Sequence, residues 1–521
     1  MDLGVITKHK RVLMEMSLRS CVYVGVGLLA FSSIASAAEV DVRLAEAARR
    51  EDRSAIRTLI DQKADVNAPL PDGSTALHWA VQADDLESVN LLLQAGANVK
   101  AANRYGVTPL HMATSNGNVT VIGRLLRAGA DPDARDASGE TLLMMAVRSG
   151  NVDSVAALVE RGASVNATDT ATQTTPLMWA VRSNSLPAAK LLLEHGATID
   201  ATTRVGATPP WVSPNAGGGS HGLGIIRGGW PERGSRAATP GGMTALLYAA
   251  RDGRVELART LLDAGANVNR KEANDITPLL MALTNDHMDV ARLLIERGAD
   301  INAADFWGRT PIFSAVEIRN RDITRGNEFG IDREAALDVI KLLLDRGANP
   351  NPRTKEIPPI RRWVTSLGDL TWINMIGQTP FIRASMSGDI TTMRLLLAHG
   401  ADPKITTVGG TTALVTAAGG NVAVQQSFVE SRESSMAAVK LCLELGIDVN
   451  AANETGFTAV MGAANKGWDD ILAVLLEAGG RLDVQDAQGR TPLRWAKGEF
   501  IALHPPEEKP TTIALIEKYS K

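Results

Sequence analysis

The chain has 521 residues, 54 Lys and Arg against 58 Asp and Glu, and a formal net charge of −4. No basic block or aromatic-basic stripe is present, which argues against nucleic acid as a partner, and two cysteines are too few for a disulfide-built scaffold. Aromatic residues make up only 4% of the chain, a composition suited to small Ala/Leu contacts between helices.

Residues 1–37 open the chain with Lys8, Lys10, Arg11 and Arg19, followed by an apolar run from Cys21 to Phe31 and the small-residue triplet Ala35-Ser36-Ala37. This order predicts a secretory signal peptide cut after Ala37, with Met14 or Met16 as alternative starts of translation. The apolar run is short for a membrane span, so no stable membrane insertion is expected after cleavage. The mature chain would carry a net charge of −6 and one cysteine, Cys442, set among leucines as a small buried hydrophobe. An exported chain without an intrachain disulfide fits a bacterial periplasm. The expected location is periplasmic or secreted.

Residues 38–74 read as a charged N-terminal capping unit, rich in Arg and Glu around Leu59-Ile60. From residue 75 to 490 one phrase returns. Thr75-Ala76-Leu77-His78-Trp79-Ala80 recurs as Thr108-Pro109-Leu110-His111-Met112-Ala113, and further copies open at Thr141, Thr175, Thr244, Thr277, Thr310, Thr379, Thr412, Thr458 and Thr491. Most steps are 33 residues. A fixed period of this size means a solenoid of stacked units.

About 17 residues after each opening comes a leucine run ending in Gly-Ala, as in Leu91-Leu92-Leu93-Gln94-Ala95-Gly96-Ala97. The Thr suits a helix N-cap and the following Pro suits the first turn. The leucines supply the apolar face of a second helix, the Gly ends it, and Asp136-Ala137-Ser138-Gly139 and its equivalents form a turn. One unit cannot bury both helix faces alone. Stacking covers several leucines per unit, each worth roughly 1.5–3 kcal/mol when fully buried. These two phrases and their period resemble the ankyrin repeat over roughly residues 42–519. The resemblance implies an all-α solenoid of about twelve helix-turn-helix units with projecting turns, closed by a C-terminal capping repeat at 491–521.

Insertions interrupt the period near 204–242, 320–333, 352–377 and 420–435, the middle two falling within one widened step. They hold Trp211, Trp230, Trp363 and Trp372. Long loops of this sort are functional or disordered, and tryptophan argues against disorder. Two roles are open, covering the solenoid or forming a ligand site. Gly218-Gly219-Ser220-His221-Gly222 matches the serine-hydrolase G-x-S-x-G pattern, but glycines and prolines replace the flanking strand and helix that a nucleophile elbow needs.

The eight histidines form no close ligand cluster. No metal and no cofactor is expected, and no catalytic residue. The resemblance assigns His78 and His111 a bond to neighbouring turn backbone. It also implies that turn tips and the first-helix surface bind partners. At the tips stand Arg104 and Tyr105, then Phe306, Trp307 and Arg309, then Phe457. Exposed Tyr, Trp and Arg are common interface anchors. For Phe306 and Trp307 the competing expectation is packing under the insertion at 352–377. Trp79, Trp179 and Trp495 share one first-helix position, where partial packing against neighbouring units is expected.

The expected function is a non-enzymatic, monomeric scaffold that holds a protein partner on the concave face of turns and first helices. A small-ligand or glycan receptor built from the Trp-bearing insertions, and a secreted effector, are the alternatives.

Overall fold

The computed structural model describes residues 41–207, 239–321, 331–356, 374, 376–420, 431–498 and 507–521. The signal-peptide expectation, the Gly218–Gly222 pattern and the four insertion tryptophans lie outside these residues. Among them are twelve helix pairs, from Arg43–Arg49 with Arg53–Asp61 to Pro492–Ala496 with Pro510–Tyr519. No strand is present among the described residues apart from an isolated bridge between Arg135 and Thr141. The all-α solenoid read from the repeat is the observed fold.

Each opening Thr has extended backbone and ends a turn. At Thr108, Thr141 and Thr175 the hydroxyl accepts from the amide three residues on, and Pro109 and Pro176 occupy the first helical turn. Six of the described second helices are capped by Asp or Asn, for example Asp85 accepting from the Ser88 amide and Asn118 from Val121. Each of these caps satisfies an orphan helix donor. After the second helix, Gly96 takes φ 88° in open space. A side chain there would meet backbone strain rather than a neighbour.

Stacking creates one continuous core. Leu77, Leu92, Leu110, Leu125, Leu158 and Leu192 are all buried within it, and so is Cys442, whose thiol burial pushes up to about 12. Units are also joined by polar links. The Asn98 amide donates to Asn67 Oδ1 at 2.7 Å, and the same contact returns between Asp300 and Asn269 and between Arg481 and Asn450. First helices of successive units pack on each other more extensively than second helices do.

Two insertions leave the solenoid at the same point of a turn. Thr203 and Met243 close one turn, and Thr354 and Gln378 close another, by amide-to-carbonyl bonds of 3.0 and 3.1 Å. The extra residues, 205–240 and 356–375, thus depart from the tip itself. The other two fall between helices, and the following helix starts earlier than the period implies. Arg333–Asp345 and Arg432–Glu444 have 13 residues, where most second helices have nine. Residues 432–435, the end of the insertion near 420–435, are an added helical turn. Preceding it, Thr416–Gly420 forms a π-helical turn after the short helix Ala413–Val415.

Candidate binding face

The turn tips form a running ladder. The Arg104 amide donates to Asp72 O at 2.9 Å, Phe306 to Asn274 O at 3.0 Å, Val408 to Ile376 O at 2.8 Å and Ala487 to Thr455 O at 2.7 Å. Arg204 to Thr172 O and Ala273 to Gly241 O carry the ladder past the first insertion. From the Arg204 turn to the Thr455 turn each tip is thus held from both sides by backbone, while the Arg104 tip is bonded on one side only.

That geometry separates the predicted tip residues. Tyr105 is 58% exposed, with the Arg104 guanidinium 4.7 Å from its ring centroid, and both stand free at a tip. Phe306 is half-buried and packs edge-on against Trp307, with ring centroids 5.6 Å apart. Trp307 is only 1% exposed. Its carbonyl accepts from the amides of Lys355 and Glu356, so the root of the next insertion lies directly upon it. Trp307 as an exposed anchor is corrected in favour of the packing expectation.

Arg309 and Phe457 are corrected for a different reason. Both sit immediately before a capping Thr, where the side chain turns inward. Arg309 Nε donates to Asp305 at 2.8 Å, and burial raises the Asp305 pKa against the opposing pull of this arginine. Arg490 makes the same clasp with Asp486 at 2.6 Å. Phe457 is 1% exposed and meets Trp495 edge-on at 5.3 Å. These residues lock turns onto the next helix.

His78 behaves as the resemblance implied. Its Nδ1 accepts from the Thr75 amide at 3.1 Å and its Nε2–H donates to Val107 O at 3.1 Å, which fixes the tautomer. His111 Nδ1 accepts from the Thr108 amide at 3.2 Å. Burial lowers both pKa values.

The first-helix surface changes along the stack. The residue four positions after the opening Thr is half-buried at Trp79, Met112, Met145 and Trp179. It is 8% exposed at Tyr248 and 6% at Met281, and fully covered at Ser314 and Trp495. At Arg383 the equivalent side chain is buried, donates to Asn320 O at 3.1 Å, and burial lowers its pKa to about 10. The open stretch is therefore the first-helix surface from the Thr75 unit to the Thr175 unit, with Tyr248 closing its far end. Three arginines stand beside it, each seven residues after its Thr. Arg148 lies 5.8 Å from the Trp179 ring centroid, Arg182 lies 4.3 Å from Trp179 and 5.5 Å from Tyr248, and Arg251 lies 4.8 Å from Tyr248. Burial raises the Tyr248 pKa, and Arg182 opposes the rise. The recurrence of Arg at that spacing was readable in the sequence. Its stacking across units was not, because units 69 residues apart in sequence had to become neighbours.

A rigid stack of helix pairs with one open, aromatic and cationic surface defines a helical-repeat binding module. The family comparison agrees. The ankyrin-repeat family model matches residues 44–136, 122–203 and 246–326, and the single ankyrin repeat matches 307–355 and 376–408. This chain belongs to the ankyrin-repeat proteins. A segment of 51 residues is 43% identical to the ankyrin repeat-containing protein P1E11.10 of Schizosaccharomyces pombe. The match covers 10% of this chain and 25% of that protein, so the chain spans about a quarter of its length. No helix among the described residues is long and apolar enough to cross a membrane.

Proposed function

We propose that the protein is a non-enzymatic scaffold that holds a protein partner on the open half of its first-helix face. The observation that carries this is the row Trp79, Met112, Met145 and Trp179, left half-buried while equivalent positions from Ser314 onward are covered. Large apolar side chains left partly open on a preformed surface lose little conformational freedom when a partner covers them. The exposed pair Arg104 and Tyr105 projects from the same end of the stack and extends the surface to the tips.

The basic start, short apolar run and Ala35-Ser36-Ala37 support export, with the scaffold acting in a bacterial periplasm or beyond the cell as a monomer. N-terminal sequencing of the exported protein at Ala38 tests that part. The binding reading is tested by affinity capture. Trp179→Ala and Tyr105→Ala are expected to release the captured protein, and Arg259→Ala, on a second helix, to retain it. Equal capture by all three contradicts the reading.

A further inference from the structure

We infer that the partner of this face presents an extended acidic segment, with a carboxylate seated on Arg182 between Trp179 and Tyr248. The inference rests on the first-helix face being the binding surface, and it specifies the chemistry of what binds there.

The carboxylates of the face are already committed. Glu140 pairs with Arg148 at 3.1 Å and Asp252 with Arg251 at 2.7 Å. Asp169 accepts from the amides of Thr172 and Thr174 at 2.6 and 2.8 Å. Arg182 is exposed and has no carboxylate within ion-pair distance among the described residues. Its guanidinium is held by two rings, at 4.3 Å from Trp179 and 5.5 Å from Tyr248. An arginine stacked in this way is preorganised, and its N–H groups fit a carboxylate in a two-pronged contact. Beside it, Trp179 Nε1–H is buried and has no acceptor among the described residues. The indole N–H is closed off like those of Trp79, Trp307 and Trp495, so the exposed Arg182, a cation without a carboxylate, is what points to an anionic ligand.

The reach suits an extended peptide. Neighbouring packed helices lie about 8–10 Å apart, so Arg148, Arg182 and Arg251 span roughly 20 Å. About six residues of extended chain at ~3.3 Å each cover that length. The chain does not carry such a ligand in the nearest insertion. Residues 205–240, tethered between the two units that frame Arg182, hold Arg227, Arg233 and Arg236 against Glu232 alone.

The test uses the full chain and three fluorescein-labelled decapeptides with Leu at alternate positions and Glu, Gln or Lys between them. Fluorescence anisotropy is expected to show the Glu peptide binding at least tenfold more tightly than the Gln peptide, and the Lys peptide not at all. Arg182→Ala is expected to lower Glu-peptide affinity about tenfold, with Arg182→Lys between the two. Raising salt is expected to weaken binding. Equal binding of Glu and Gln peptides, an unaffected Arg182→Ala, or stronger competition from a single-stranded oligonucleotide overturns the inference. If peptides fail while Trp179→Ala still releases the captured protein, the face stands and its acidic chemistry falls. If Trp179→Ala releases nothing either, both fall.

Discussion

Replacing Trp307 by Ala separates a core residue from a surface anchor. The indole is 1% exposed, packs edge-on against Phe306, and has the Arg309 guanidinium 5.5 Å from its ring. Removing a buried Trp side chain costs about 3–5 kcal/mol when the site cannot collapse. Collapse is restricted here, because the Lys355 and Glu356 amides hold the Trp307 carbonyl and the Phe306 amide is bound to Asn274 O. The indole Nε1 has no partner among the described residues, so Trp307→Phe removes volume without a hydrogen bond and is expected to lose much less. Hydrogen exchange is the assay, since stability in a solenoid is a sum of local interfaces. Amides of Phe306, Lys355 and Glu356 are expected to exchange faster by a factor matching the lost energy, while those of the Thr108 unit stay unchanged. A Trp307→Ala protein with wild-type exchange at these amides, and with reduced partner binding instead, refutes the reasoning.

Two further outcomes are expected. Leu192→Ala, at a fully buried position of a second helix, should cost about 2–5 kcal/mol and loosen the Thr175 and Thr244 units more than the Thr458 unit in hydrogen exchange; uniform loosening contradicts a solenoid. Burial lowers the pKa of His78, His111 and His287 below the ordinary 6.5, so the unfolded chain binds more protons between the two values and stability falls as pH drops below about 6.5. Melting temperature followed from pH 7.5 to 5 should decline, and His78→Gln should flatten part of that decline; a pH-independent difference between the two proteins contradicts the assignment.

The repeat made the fold legible. Thr caps, leucine runs and stop glycines are local signals, and stacking enforces the same answer in each unit. Direction was harder to read. Arg309 and Phe457 stand next to tip residues in sequence, yet the position before the capping Thr faces inward toward Asp305 and Trp495. Trp307 and Tyr105 hold equivalent places in their turns, and what separates them is the neighbour. Trp307 is met by Lys355 at the root of an insertion, a contact absent from the local pattern. The first-helix surface was named by the resemblance, with Trp79, Trp179 and Trp495 expected to be partly packed alike, but the closing of that surface at Trp495 and from Ser314 onward depends on what covers each helix. Burial of that kind follows from the assembled stack and has no signature within a single repeat.

The account turns on which surface meets the partner. A photoreactive benzoylphenylalanine placed at Met145, at Arg259 or at Phe313 and irradiated in the native extract reads this directly. The account predicts that Met145, on the open first-helix face, cross-links a discrete partner that Arg182→Ala weakens. Arg259, on a second helix, and Phe313, at 3% exposure in the covered part of the stack, should give no such product. The same product from Arg259 but not from Met145 would place the partner on the opposite side and contradict the account.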